Sequence, residues 1–114
     1  MEKIVEQTLL YDFYGELLTA HQKMVYEAVV FQDISLSELA QEQGISRQGV
    51  HDLIKRCNKI LHDYEEKLHL VERFMQAKKL AEKLNDLTAG YEENRREEDL
   101  IQIRELSKQI TELI

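Results

Sequence analysis

Proline is absent from this 114-residue chain, glycine appears only four times (Gly15, Gly44, Gly49 and Gly90), and cysteine once. Sandwiches and barrels of β-strands turn often, and their turns draw on proline and glycine. The shortage of both argues against those architectures and favours a few long helices. The lone Cys57 has no partner for an internal disulfide and leaves no cysteine-based metal site, so the expected setting is a reducing, cytoplasmic one. No apolar run nears the roughly 20 residues of a membrane span. The opening Met1-Glu2-Lys3-Ile4-Val5-Glu6-Gln7 carries acids where a secretory signal would carry a basic stretch and an apolar core. Basic residues are also scarce, 15 against 22 acidic ones for a net charge of −7, which argues against a general polyanion coat.

That deficit is uneven. Residues 1–34 hold 2 basic and 6 acidic residues, and residues 63–114 hold 9 and 13. Between them, residues 35–62 hold four basic residues (Arg47, Lys55, Arg56 and Lys59) against three acidic ones (Glu38, Glu42 and Asp52). Only this middle stretch escapes net negative charge. With 43% hydrophobic and 32% charged residues the chain has the composition of a folded protein rather than a disordered one.

Apolar residues recur at helical intervals along the whole length. A first helix is expected to end near Leu18, and Thr19 is a good N-cap for a second, which carries Met24, Val25, Ala28, Val29 and Phe31. Ser35-Leu36-Ser37-Glu38 fits the capping-box pattern and opens a short third helix to about Gln43. Gly44 supplies a left-handed stop, Ile45 anchors the turn, and Ser46 caps a fourth helix starting at Arg47. No breaker follows until Thr88-Ala89-Gly90, although the helix could divide near Leu70. Within it Leu61, Tyr64, Leu68, Val71 and Met75 step by threes and fours, the spacing of a coiled coil. A final helix is expected over 92–114, its acids Glu92 and Glu93 suiting the N-terminal end of the helix dipole.

Residues 36–55 read as a helix-turn-helix. Two helices that cross steeply leave space for only a small side chain where they meet, and Ala40 fills it. Four residues later Gly44 takes the conformation other residues resist. Leu39, Ile45, Val50 and Leu53 are expected to close the core beneath. The plainer reading of the same pattern is two core helices joined by a tight turn. If the motif holds, its second helix presents Ser46, Arg47, Gln48, His51, Lys55, Arg56 and Lys59 as a candidate nucleic-acid face. Arg and Gln can pair with base edges, whereas Lys mainly neutralises phosphate. Asp52, in the middle of that face, repels phosphate. The plainer reading is a solvated side of an amphipathic helix.

Residues 19–62 resemble the DNA-binding region four of bacterial sigma factors. More closely, Tyr11-Asp-Phe-Tyr-Gly-Glu-Leu-Leu-Thr19, Asp33-Ile-Ser-Leu-Ser-Glu-Leu-Ala40, Gly44-Ile-Ser-Arg-Gln48 and His62-Asp-Tyr-Glu-Glu-Lys-Leu-His69 resemble the YlxM family of small bacterial proteins. The resemblance covers roughly residues 9–70. It implies a non-enzymatic regulatory protein of the signal recognition particle pathway, with a nucleic-acid face at Ser46, Arg47, Gln48, His51, Lys55 and Arg56. Gly49 and His51 depart from the better helix former and the aromatic expected there.

His62, Glu66 and His69 could share a helical face and approach a metal, but the second ligand set that such bundle sites require is missing. No phosphate loop or nucleophile arrangement is present, so no cofactor and no catalysis are expected. The fold expected is all-α: a sigma-region-four-like helix-turn-helix bundle over 1–70 with a helical extension over 71–114, used for dimerisation or partner docking. Two functions compete. One is nucleic-acid binding, to DNA or the particle's RNA. The other is an adaptor whose acidic helices dock the particle's GTPases.

Overall fold

The computed structural model describes residues 2–113; Met1 and Ile114, the outer limits of the two expected domains, lie outside the described residues. Among those residues there are helices and no strand: α1 (Lys3–Tyr14), a 3-10 turn (Gly15–Leu17), α2 (Ala20–Tyr26) running on as a π-helical turn (Glu27–Phe31), α3 (Leu36–Gln43), α4 (Arg47–Leu68), α5 (Leu70–Asn94) and α6 (Glu97–Leu113). The protein is all-α. It divides into two compact units, 1–71 and 72–114.

In the first unit α4 is the central rod, with α1, α2 and α3 packed against it. Beneath the α3–α4 corner, Val25, Ala28, Leu39, Ala40 and Val50 form one buried cluster, with Ile34, Leu36, Leu53 and Ile54 closing its edge. Leu10, Tyr14, Leu18, Tyr26, Cys57 and Leu61 are also buried. Tyr11, Tyr14, Tyr26 and Tyr64 belong to this interior. Tyr26 stacks on Tyr11 at 5.5 Å and meets Phe31 edge-on at 6.1 Å, while Tyr14 stacks on Tyr64 at 6.0 Å. Three of these phenols have an acceptor, as burial demands: Tyr26 donates to Asn58 at 2.7 Å, Tyr14 to Glu65 at 2.6 Å, and the half-buried Tyr11 to Glu27. Asn58, which no sequence pattern singles out, also receives a bond from Gln7 at 3.4 Å and so ties α1 and α2 to α4.

Gly15 is required by the same ring system. A Cβ built there would lie 2.9 Å from the Tyr11 ring, which cannot retreat because it is held by Tyr26, Phe31 and Glu27. Gly15→Ala is therefore expected to destabilise the protein by about 1–3 kcal/mol, the usual range for overpacking, despite alanine's better helix propensity. Urea unfolding of the two proteins measures it, and an unchanged midpoint would show that the ring is free to move.

The first helical segment ends near Leu18 as its spacing predicts, closing in the 3-10 turn at Leu17, after which Leu18 turns inward in an extended conformation. Several other local expectations need correction. At Ser35 only half of the capping box forms, the Ser oxygen accepting from the Glu38 amide at 3.0 Å. The complete box sits at Thr19, which accepts from the Gln22 amide while Gln22 accepts from the Thr19 amide. Ile45 is 42% exposed and leaves closure of the small core to Leu39, Val50 and Leu53. The run from Leu61 to Met75 is not one coiled coil, because α4 ends at Leu68 and His69 takes a left-handed conformation, φ 56°. Nor does the helix stop at Thr88-Ala89-Gly90. Thr88 turns its hydroxyl back onto the Leu84 and Asn85 carbonyls, which satisfies it without leaving the helix. The chain reverses instead at Arg95, φ 52°, and α6 opens on Glu97, Glu98 and Asp99 rather than on Glu92.

The corner at His69 has a physical cause that sequence spacing does not show. A new helix start leaves amides without partners, and two of them are met from elsewhere in the fold: the Leu70 amide donates to the Tyr14 hydroxyl at 3.1 Å, and the Val71 amide to Glu65 at 2.9 Å. Glu65→Ala removes the acceptor for both a buried phenol and an amide. It is expected to cost about 2–3 kcal/mol, since each unsatisfied buried group costs roughly 1–3. Glu65→Gln, which keeps an acceptor oxygen, should recover much of that in the same unfolding assay. Equal stability of the alanine variant and the native protein would remove this account of the corner.

Candidate nucleic-acid interface

The α3–α4 corner is built from backbone bonds. Gly44 sits at φ 67°, in the left-handed region that favours glycine. The Ile45 amide donates to the Ala40 carbonyl at 3.1 Å and the Gly44 amide to Gln41 at 3.4 Å, the paired bonds of a Schellman stop. Two residues on, the Ser46 hydroxyl accepts from the Gly49 amide at 2.9 Å and starts α4. Glycine at position 49 leaves this cap uncrowded: an added Cβ would sit 3.2 Å from the Ser46 oxygen. A stop, one linking residue and a cap thus set the tilt of α4 against α3.

Val50, Cys57 and Leu61 point into the core and are buried. The helix repeat then turns Ser46, Arg47, Gln48, His51, Lys55, Arg56 and Lys59 outward, and all seven are exposed. They are not equivalent. At about 100° per residue, Arg47 and Arg56 stand at opposite edges of a fan spanning roughly half the helix circumference, with His51, Lys55, Gln48 and Lys59 between them. Lys59 is held by Asp63 at 3.0 Å. Gln48 gives its amide to Asp52 at 3.0 Å, and His51 lies 3.8 Å from the same carboxylate. Arg47, Lys55 and Arg56 are left without a protein partner among the described residues, so the uncommitted positive charge of the face rests on these three. The pairs around Asp52 and Asp63 must loosen before Gln48 or Lys59 can reach a ligand.

One contributor is not visible in the sequence. An open groove of about 900 Å³ runs beside the face, with Glu2, Lys3 and Gln7 at the start of the chain on one wall and His51, Lys55 and Asn58 of α4 on the other. Lys3 thus joins the edge of the basic face although it lies far away in the chain. Only the packing of α1 on α4 places it there.

The His62–Glu66–His69 arrangement does not assemble. His62 lies 3.5 Å from Glu6 of α1, and His69 falls beyond the end of α4, which breaks the helical register the three would share. Among the described residues no three His, Cys, Asp or Glu side chains are placed to hold a metal, and no helix is long and apolar enough to cross a membrane.

Comparison with known proteins agrees with this corner. The sequence pattern of the UPF0122 family, described as helix-turn-helix proteins, YlxM / p13 like, matches residues 1–103. The chain is similar to the UPF0122 protein YlxM of Bacillus subtilis (strain 168), at 42% identity over 82% of this chain and 84% of the relative. A UPF0122 protein of Clostridium novyi (strain NT) is 44% identical over 82% of this chain and 85% of its own length. One from Desulforamulus reducens is 38% identical over 98% and 96%. The chain therefore belongs to the UPF0122 family of YlxM / p13-like helix-turn-helix proteins.

Proposed function

We propose that the protein is a non-catalytic regulatory protein that binds nucleic acid, DNA or the signal recognition particle RNA, through the outer face of α4. The observation that carries this is the exposed, unpaired trio Arg47, Lys55 and Arg56 on a helix whose tilt is set by the Gly44 corner. In duplex DNA the first turns of α4 fit the major groove, with Arg47 and Gln48 at base edges and Lys55, Arg56 and Lys59 at phosphates. Ser46 and the first α4 amides complete a phosphate contact, and Lys3 reaches the flanking backbone. A-form RNA has a major groove too narrow for a helix, so binding of the particle RNA falls on backbone, loops or bulges. The place of this binding in the signal recognition particle pathway rests on the family resemblance.

Fluorescence anisotropy with duplex DNA and with particle RNA, each over a salt series, tests the reading. The Arg47→Ala/Lys55→Ala/Arg56→Ala variant changes only exposed side chains and should keep its helicity. It is expected to bind at least about tenfold more weakly, with a salt slope shallower by about 2–3, close to one for each phosphate that is no longer neutralised. Indistinguishable binding by the two proteins would reject the face. Absence of binding by the native protein to either nucleic acid at low salt would reject the function. The adaptor reading draws on a different surface, the exposed acids Glu92, Glu93, Glu97 and Glu98 around the Arg95 turn. Nuclease-resistant capture of the particle's GTPases is its expected signature.

A further inference from the structure

The second unit is a hairpin: α5 runs to Asn94, the chain reverses at Arg95, and α6 returns beside it, with Asp99 next to Gly90, and Gln102 and Leu106 lining one groove with Leu87 and Lys83. Leu87 of α5 and Leu106 of α6 line that groove together with the charged Asp86 and Glu105; Leu80 and Leu84 of α5 and Ile103 and Ile110 of α6 continue the two apolar stripes at helical spacing. None of these six apolar residues is buried; each is only partly covered. Two helices shield one side of each apolar stripe and leave the other open, here as a groove of about 380 Å³. No cysteine lies in this unit to staple it, and a unit of little over about 40 residues builds only a small core, which pairing with a second copy would enlarge.

The charges say what covers the stripe. At the turn end stand Glu92, Glu93, Glu97, Glu98 and Asp99 against Arg95 and Arg96. At the open end α5 carries Arg73, Lys78, Lys79 and Lys83 against Glu72 and Glu82, while Arg104 and Lys108 of α6 balance Glu105 and Glu112. The hairpin is acidic at one end and basic at the other. A second copy laid antiparallel sets each acidic turn against the partner's basic end, and a parallel copy sets like against like. We infer that the protein is a homodimer in which two hairpins pair antiparallel into a four-helix bundle over their Leu87–Leu106 grooves. This pairing stands independently of the nucleic-acid reading.

Sedimentation equilibrium of the full chain tests it. The native protein is expected at twice its 13.5 kDa chain mass at micromolar concentration. Lys78→Glu/Lys79→Glu and Glu92→Lys/Glu93→Lys alter only exposed side chains. Each double variant is expected to weaken the dimer by about tenfold through several rim pairs of modest strength, and the quadruple variant, with both ends reversed, to restore it. A native monomer at high micromolar concentration overturns the proposal. A dimer indifferent to the single-end reversals, or one that the quadruple variant fails to restore, overturns the antiparallel arrangement.

Discussion

Tyr26→Ala is expected to lose about 4 kcal/mol of stability, the usual cost of emptying a large aromatic site in a core. Its side chain is fully buried, stacked on Tyr11, edge-on to Phe31, and bonded to Asn58. Removing it opens a cavity and breaks the aromatic pairs, each worth about 0.5–1.5 kcal/mol beyond its area. It also leaves Asn58 without one of its two donors. A domain of this size has a total stability of roughly 4–11 kcal/mol, so the variant should melt about 20 °C lower or show no cooperative transition. Tyr26→Phe keeps the ring and loses only the hydroxyl bond, at about 1 kcal/mol. Thermal melts followed by circular dichroism compare the three proteins. A loss for the alanine variant no larger than for the phenylalanine one would mean the ring is not the hub of the first unit.

The second large effect is alkaline. Burial pushes the Tyr26 hydroxyl up to about 12. Burial, reinforced by the hydrogen bonds to Glu65 and Glu27, also raises Tyr14 and Tyr11. In the unfolded chain each titrates near about 10. Above that value the unfolded state releases protons that the folded state retains, so stability falls as pH rises. The tyrosine contribution is fully present below about pH 10 and is lost through the folded value. For Tyr26 alone a gap of about 2 units amounts to roughly 2 kcal/mol by about pH 12, and Tyr14 and Tyr11 add with the same sign. Urea midpoints should therefore drop between about pH 10 and 12, with a smaller drop in Tyr26→Phe. A flat profile across that interval would contradict the burial of the phenols.

The elements that can be read from sequence are those with local causes. Thr19, Ser35, Gly44 and Ser46 each act on amides or backbone angles within a few residues, and all four stand where their chemistry places them. The corner at Leu70 shows in the sequence only as an optional break, because its cause lies in Tyr14, more than fifty residues away in the chain. Thr88 misleads for the opposite reason: a residue that often caps helices has carbonyls of its own helix to bond. The candidate face is legible as a set of outward side chains from the helix repeat. Which of them are already engaged is less so. The Gln48–Asp52 bond, which withholds one polar group, follows from i, i+4 spacing, whereas Lys3 depends on how α1 lies against α4.

Cys57 is the only thiol in the chain, it is fully buried, and burial raises its pKa. A thiolate-selective alkylating reagent meets no reactive sulfur in the closed protein. Its rate of modification then reports how often α4 is uncovered, which gives the native chain a built-in clock for opening without an engineered label. Read with and without nucleic acid, that clock would register whether a ligand tightens the helices behind the face it touches.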